Sequence, residues 1–168
     1  MAETKHRHEL SGEDYAKLRD LHERVAGGID RRDADLFLSA FAPEARQFRM
    51  STNGEIEREA SPAEAFATGP MRMSADIRTM HILCNTRFEV EGDIASGEIY
   101  MVAHQFAPNG FPSDHPLSLP PGIPDGTPLV RTVYGRSQSR YRKVDGHWRI
   151  AETRTWGEGI EVRPVYCP

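Results

Sequence analysis

Residues 77–106 read IRTMHILCNTRFEVEGDIASGEIYMVAHQF, and the fold turns on this stretch. From Ile77 to Val90 it is rich in β-branched and aromatic side chains, which favour a strand. Glu91-Gly92-Asp93 carries turn chemistry, and Ile94 to Phe106 runs back. Residues 129–156 repeat the pattern: a long strand from Leu129 to Val144, a turn at Asp145-Gly146, and a return strand from His147 to Trp156. The upstream third of the chain is different. Ser11 with Asp14 three residues later resembles a capping box, and Tyr15, Leu18, Leu21, Val25 and Ile29 then recur at helical spacing with His22 beside them. Gly27-Gly28 weakens that helix near its end. Asp33 can cap a second helix from Ala34 to Phe41, closed by Pro43. Residues 45–50 read as a strand, Asn53-Gly54 as a hairpin turn and Glu55–Arg58 as the returning strand. Ser61-Pro62-Ala63-Glu64 starts a third helix, which stops near Gly69-Pro70. Helices early and a long antiparallel meander late define an α+β fold, not an alternating α/β one.

With 168 residues the chain fits one domain that buries a core without staples. We place a polar tail at 1–10, the domain at 11–157 and a second tail at 158–168. Net charge is −4 and the pI about 6.0, so no basic field marks a nucleic-acid or anionic-membrane partner. The Lys/Arg-rich run Arg136–Lys143 reads as a solvated strand face. The two cysteines, Cys84 and Cys167, form neither a Cys-x-x-Cys nor a zinc pattern, and a reducing, cytoplasmic setting is the expectation. No apolar run reaches membrane-span length, and Met1 to Leu10 lacks the apolar centre of a secretory signal. Residues 108–128 hold seven of the twelve prolines. A loop this long between two strands is uncommon in a compact domain. A lid over a pocket, a passive surface arm and an arm gripping a neighbouring subunit are the open readings. Its apolar residues Phe111, Leu117, Leu119 and Ile123 should be buried somewhere.

Two residues stand out chemically. By strand alternation Ile77, Thr79, His81, Leu83 and Asn85 share one face, while Met80, Ile82, Cys84, Thr86 and Phe88 share the other. His81 therefore sits mid-strand among apolar neighbours, either as a satisfied core histidine or as a working imidazole. Asp30 lies near a helix C-terminus, where a carboxylate is disfavoured. Either it caps the following turn, or an imidazole rewards it. A carboxylate that accepts from one ring nitrogen frees the other as a base.

The segment Gly28-Ile29-Asp30-Arg31-Arg32-Asp33, followed by Phe41-Ala42-Pro43-Glu44-Ala45, resembles the D-x-R-D … F-A-x-D-A stretch of SnoaL-like proteins. His81 to Asn85 resembles that family's His-x-x-x-Asn strand with its Gly-Asp turn, here Gly92-Asp93. Tyr134-Gly135-Arg136, Tyr141 and Val144 to Ile150 resemble its two closing strands. These matches fall in the family's order over about residues 10–157. The resemblance implies an NTF2-like fold: a curved, cone-shaped antiparallel sheet with N-terminal helices enclosing a pocket. Relatives include scytalone dehydratase, hexachlorocyclohexane dehydrochlorinase, bile-acid dehydratase and polyketide cyclases. In the dehydratase branch an Asp after the first helix pairs with a His on a long strand, and Asp30 and His81 match those positions.

The expectation is a cofactor-free lyase in which His81, oriented by Asp30, removes a proton and water, halide or formaldehyde leaves. Neither a Gly-rich phosphate loop nor a nucleophile elbow interrupts the sequence. The substrate should be apolar, aromatic or polycyclic, consistent with aromatic-compound catabolism, because Ile29, Phe48, Thr79, Leu83, Met101, Val133 and Thr153 are the candidate lining. Alternatives are an isomerase or cyclase of a ketosteroid- or polyketide-like substrate, and a non-catalytic ligand-binding domain. The group that stabilises developing negative charge stays open among His104, Arg136 and Arg154, or none of these. Where relatives carry a Lys or Tyr five residues before the Asp, this chain has Val25, and a relative's pocket Arg falls at Thr153. If Met101 points into the pocket, His104 points away. The resemblance also implies a homo-trimer or homo-dimer.

Overall fold

In the computed structural model, which describes residues 10–111 and 122–165, three helices pack on one side of a six-stranded sheet. Helix α1 runs Gly12–Arg31, with the Ser11 side chain accepting from the Asp14 N–H at 3.0 Å. Its glycine pair does not end it. A Cβ on Gly28 would lie 2.7 Å from Phe37 Cβ, so Gly28 is there for close approach between helices. Helix α2 is only Ala34–Leu38, capped by Asp33. Phe41, expected as its last residue, instead opens strand β1, Phe41–Met50. Pro43 follows at an irregularity in the pairing, where its missing N–H leaves no gap in the ladder. Strand β2 is Ile56–Ala60, and α3, Pro62–Thr68, has the full capping box of Ser61 and Glu64. Strands β3 (Arg78–Glu91), β4 (Ile94–Ala107), β5 (Leu129–Val144) and β6 (His147–Pro164) complete the chain.

The sheet order is β2-β1-β6-β5-β4-β3. The expected antiparallel sheet is in fact mixed, because β1 pairs with β6 in parallel. After α1 and α2 cross the sheet, the chain enters β1 beside the β5–β6 turn, where β6 also begins: Ile150 N donates to Ala40 O at 2.9 Å. Two further expectations shift. β6 continues to Pro164 against Leu129, so residues 158–164 belong to the sheet, not to a tail. An irregularity near Glu158 absorbs the Gly157-Glu158-Gly159 sequence. In β3, Leu83 faces Met101 and Thr86 faces Ile99, so Cys84 and Asn85 together oppose Tyr100. This bulge reverses the alternation. Thr86 and Phe88 therefore rejoin the face of His81, in keeping with the hydrogen bond between the Tyr15 and Thr86 hydroxyls and the Tyr15–Phe88 edge contact.

The main core lies between the helices and this face: Leu18, Leu21, Phe37, Phe66, Phe88, Ile99, Tyr141 and Ile150, among others. Full burial of each such side chain contributes roughly 1.5–3 kcal/mol. Trp148 closes the cluster and donates from Nε1 to Asp14 at 2.8 Å, which fastens α1 to β6. A second cluster joins Ile77, Ala107, Phe111 and Leu129, with Ile123 packed against it. The Pro-rich loop is thus anchored by apolar residues at both ends, while Leu117, Leu119 and the 1–9 tail lie outside the described residues. No helix among the described residues is long and apolar enough to cross a membrane.

Candidate active site

Asp30 stands on the last turn of α1, against His81 on β3. Its Oδ1 accepts from His81 Nδ1 at 2.6 Å and from Thr79 Oγ1 at 2.8 Å. Its Oδ2 accepts the His81 backbone N–H at 2.9 Å. The carboxylate is therefore held by three donors, and its awkward place at a helix C-terminus is explained. Burial pushes the Asp30 carboxyl up, but the His81 side-chain, His81 backbone and Thr79 hydrogen bonds outweigh it and leave the value below the ordinary one. An ionised carboxylate only accepts, so Nδ1 of His81 carries a proton and Nε2 is the nitrogen that can serve as the base. The side chains are 15% and 23% exposed for His81 and Asp30, sheltered but reachable.

A third residue holds the pair in register. Arg32, the left-handed C-cap of α1 at φ 55°, donates from Nη2 to the carbonyls of Ser74 (2.6 Å) and Ile77 (3.0 Å). It ties the end of the helix to the entry of β3. Sequence reading passed over this role because the two partners are backbone atoms more than forty residues away.

The other candidate residues divide by face. Pairing sets Leu83 beside Met101 and Gly135, and His81 beside Ala103 and Val133, so Met101 and Val133 share the dyad's face. Thr153 is on the same face but further along, buried and accepting from Ser139 at 2.9 Å. Ile29 packs against the main core. Phe48 pairs with Arg154, whose guanidinium sits 5.5 Å from its ring, on the opposite face. Phe48 is therefore not part of the dyad's surroundings: the parallel β1–β6 pairing sets its phase. His104 pairs with Met80 and Thr132 and hydrogen-bonds Thr132 at 3.0 Å, also on the opposite face. Arg136 and Arg154 are turned away too, occupied by Glu158 and Glu98 and by Glu152 respectively.

Two residues that sequence reading missed lie on the dyad's face in the row Thr79–Gln105–Arg131. Arg131 Nη1 donates to Gln105 Oε1 at 3.1 Å, and Arg131 Nε is buried with no partner among the described residues. Their signal was available: Arg131 is two residues from Val133 and Gln105 is four from Met101, each in phase along its strand. A hollow of about 410 Å³ lined by Arg87, Glu89, Glu98, Arg140 and Arg154, among others, opens on the far face. The dyad does not line it, so its size carries no weight for the chemistry.

Three helices over one face of a mixed six-stranded sheet, with an Asp–His pair on that covered face, make this an α+β domain. The chain belongs to the SnoaL-like domain family, whose sequence model matches residues 11–154. Solved structures similar in fold include a type-3 hexachlorocyclohexane dehydrochlorinase from Novosphingobium barchaimii (14% identical, 93% of this chain and 95% of that one, TM-score 0.65). Another is a candidate aromatic ring hydroxylase from Novosphingobium aromaticivorans (20% identical, 94% and 96% covered, TM-score 0.65). A candidate scytalone dehydratase from the same organism is 12% identical, with 92% and 89% covered and a TM-score of 0.62. No curated protein matches the chain by sequence.

Proposed function

We propose that this protein is a cofactor-independent lyase acting on a small aromatic or polycyclic substrate, with His81 as general base and Asp30 as the residue that orients it. The observation that carries this reading is the 2.6 Å contact between His81 Nδ1 and Asp30 Oδ1, which occupies Nδ1 and leaves Nε2 as the ring nitrogen for the base. In the step, Nε2 takes a proton from substrate carbon or hydroxyl. The electron pair of the broken bond forms the new double bond, and the leaving group departs with its own bonding pair. Asp30 stabilises the imidazolium that forms, and that proton returns to the leaving group or to water. Leu83, Met101 and Val133 supply apolar lining on the dyad's face, suited to an aromatic body. The names of two fold neighbours, a dehydrochlorinase and a candidate scytalone dehydratase, accord with elimination.

The test is turnover of a panel of β-hydroxy and β-halo aromatic compounds, read by mass. Elimination lowers product mass by the leaving group, whereas isomerisation or ring closure leaves it unchanged. His81→Ala and Asp30→Asn should remove turnover while the circular-dichroism spectrum stays native. Full activity in His81→Ala refutes the assignment.

On the opposite face Met80, Ile82, Tyr100 and Tyr134 are each between 43% and 45% exposed, an apolar patch that favours a homo-oligomer. Sedimentation of the wild type against Ile82→Glu checks it: a monomeric wild type contradicts the expectation.

A further inference from the structure

The helix-covered face carries further charged side chains besides the dyad, among them Arg49 on β1 and Arg131 on β5. Arg131 rises from β5 two strands away from Thr79 in the same cross-strand row. Two strand spacings separate their backbones by about 10 Å. Side chains projecting from both can therefore hold two ends of one small molecule.

Arg131 lacks what nearby arginines have. Arg49 faces Glu57 at 3.4 Å, Arg136 holds Glu98 and Glu158, and Arg154 holds Glu152. Among the described residues, no carboxylate pairs with Arg131. Its polar contact is the neutral amide of Gln105, and its Nε is buried without an acceptor. Burial, and then the positive charge of Arg49, push its value down, as expected for a cation short of both water and counter-charge. Removing a guanidinium from water without a counter-ion is unfavourable, and removing it beside a second cation more so. A protein keeps such a group when something that binds later supplies the missing charge. An anionic oxygen is that partner, because guanidinium hydrogen bonds to carboxylates and phenolates are short and charge-assisted. Gln105 meanwhile holds one end of the guanidinium in place.

We propose that Arg131 is the anion-recognising group of this site, and that the substrate carries a carboxylate or phenolate oxygen that docks there while its reacting end meets His81. The assignment rests on the reading of His81 as the base, since that fixes which end of the substrate reacts. It narrows the substrate class from apolar aromatics to small aromatic acids and phenols. It also gives elimination a fixed positive charge on the face that Arg136, Arg154 and His104 all leave.

Binding separates this claim from the catalytic one. Isothermal titration would compare 3-phenylpropanoate, 4-nitrophenolate and the neutral 3-phenylpropanamide on the wild type, Arg131→Gln, Arg131→Lys and His81→Ala. The wild type should bind one of the anions about tenfold or more tighter than the amide, the scale of one charge-assisted hydrogen bond. Which anion wins separates the carboxylate from the phenolate. Arg131→Gln should lose the preference, Arg131→Lys keep part of it, and His81→Ala keep all of it. Equal binding of acid and amide by the wild type, or no binding of either anion, overturns the proposal, as does an unchanged preference in Arg131→Gln. If Arg131→Gln does not fold, arginine Nε–H NMR of the wild type decides. The acid should shift the one cross-peak that Arg131→Lys lacks; an unmoved cross-peak overturns the proposal. Should His81→Ala retain turnover while the anion preference stands, the lyase reading fails and the anion site survives.

Discussion

Two histidines of this protein make hydrogen bonds of the same length and have opposite prospects. His81 Nδ1 lies 2.6 Å from the Asp30 carboxylate at the rim of the sheet's inner face, and His22 Nε2 lies 2.6 Å from the Tyr141 hydroxyl deep in the core. His22 is 6% exposed and Tyr141 2%. Burial, and then the charge of Arg19, push the His22 imidazole down to about 4, and burial pushes the Tyr141 phenol up. Both groups of that pair are neutral at pH 7. Neither can accept or deliver a charge without unfavourable desolvation, so the pair is cement between α1 and β5. A carboxylate partner and a sheltered but open rim distinguish the other pair. A short hydrogen bond to imidazole thus does not by itself mark a base; the charge of its partner and a route for the proton do.

The sharpest way to break this comparison is to delete each ring. His81→Ala should lower turnover by ~10²–10⁴, the usual worth of a positioned general base, with little change in the unfolding midpoint. His22→Ala should do the reverse. A buried cavity and an orphaned Tyr141 hydroxyl cost about 3 kcal/mol of stability, while the folded fraction turns over at the wild-type rate. Denaturant melts beside initial rates check both, and a large rate loss in His22→Ala would erase the distinction.

Acid sharpens it next. The His22 value falls from an ordinary 6.5 to about 4 on folding. Between those values the unfolded chain binds the proton and the folded one refuses it, so this contribution is complete above pH 6.5 and lost as pH falls to 4. The drop amounts to about 3 kcal/mol. Asp30 is depressed from 3.8, so its contribution is present above that value and lost only at lower pH. Urea midpoints across pH 7 to 3 should therefore fall in two separate stages. His22→Gln should remove the first stage, and Asp30→Asn should reduce the second, which the depressed carboxyls of Asp14, Glu64, Asp76 and Glu98 share. A single stage untouched by His22→Gln would contradict the burial argument.

The smallest expected effect comes from Gly28→Ala. The added methyl meets Phe37 and overpacks the α1–α2 contact by about 1–3 kcal/mol. Because Asp30 lies two residues on, activity should fall by more than the stability loss accounts for. An unchanged rate would show that the helix end adjusts independently of the dyad.

Much of this was legible in the chain. The Ser11 and Ser61 caps, the glycine turns at 92 and 146, and the alternation in β5 are local rules that short segments obey on their own. Asp30 and His81 stood out because a carboxylate at a helix C-terminus and an imidazole mid-strand both defy local preference. Phe48 was misplaced, and Thr86 with Phe88 assigned to the wrong face, for one reason. Alternation gives relative phase only, and a bulge or a parallel neighbour resets it. Residues 158–164 looked like a tail because Gly157 and Gly159 weaken a strand locally, yet β5 offers a ladder long enough to hold them.

The sequence by itself determined the α+β order of elements, the helix caps, the turns and the two residues most out of place. Only the tertiary structure decided which face each strand turns inward, that Thr79 and the His81 backbone N–H join in holding Asp30, and that Arg131 shares their surface without a carboxylate partner among the described residues. The physical reason is range. Caps, turns and periodicity are settled within a few residues, whereas register, burial and charge pairing depend on segments tens of residues apart meeting in space.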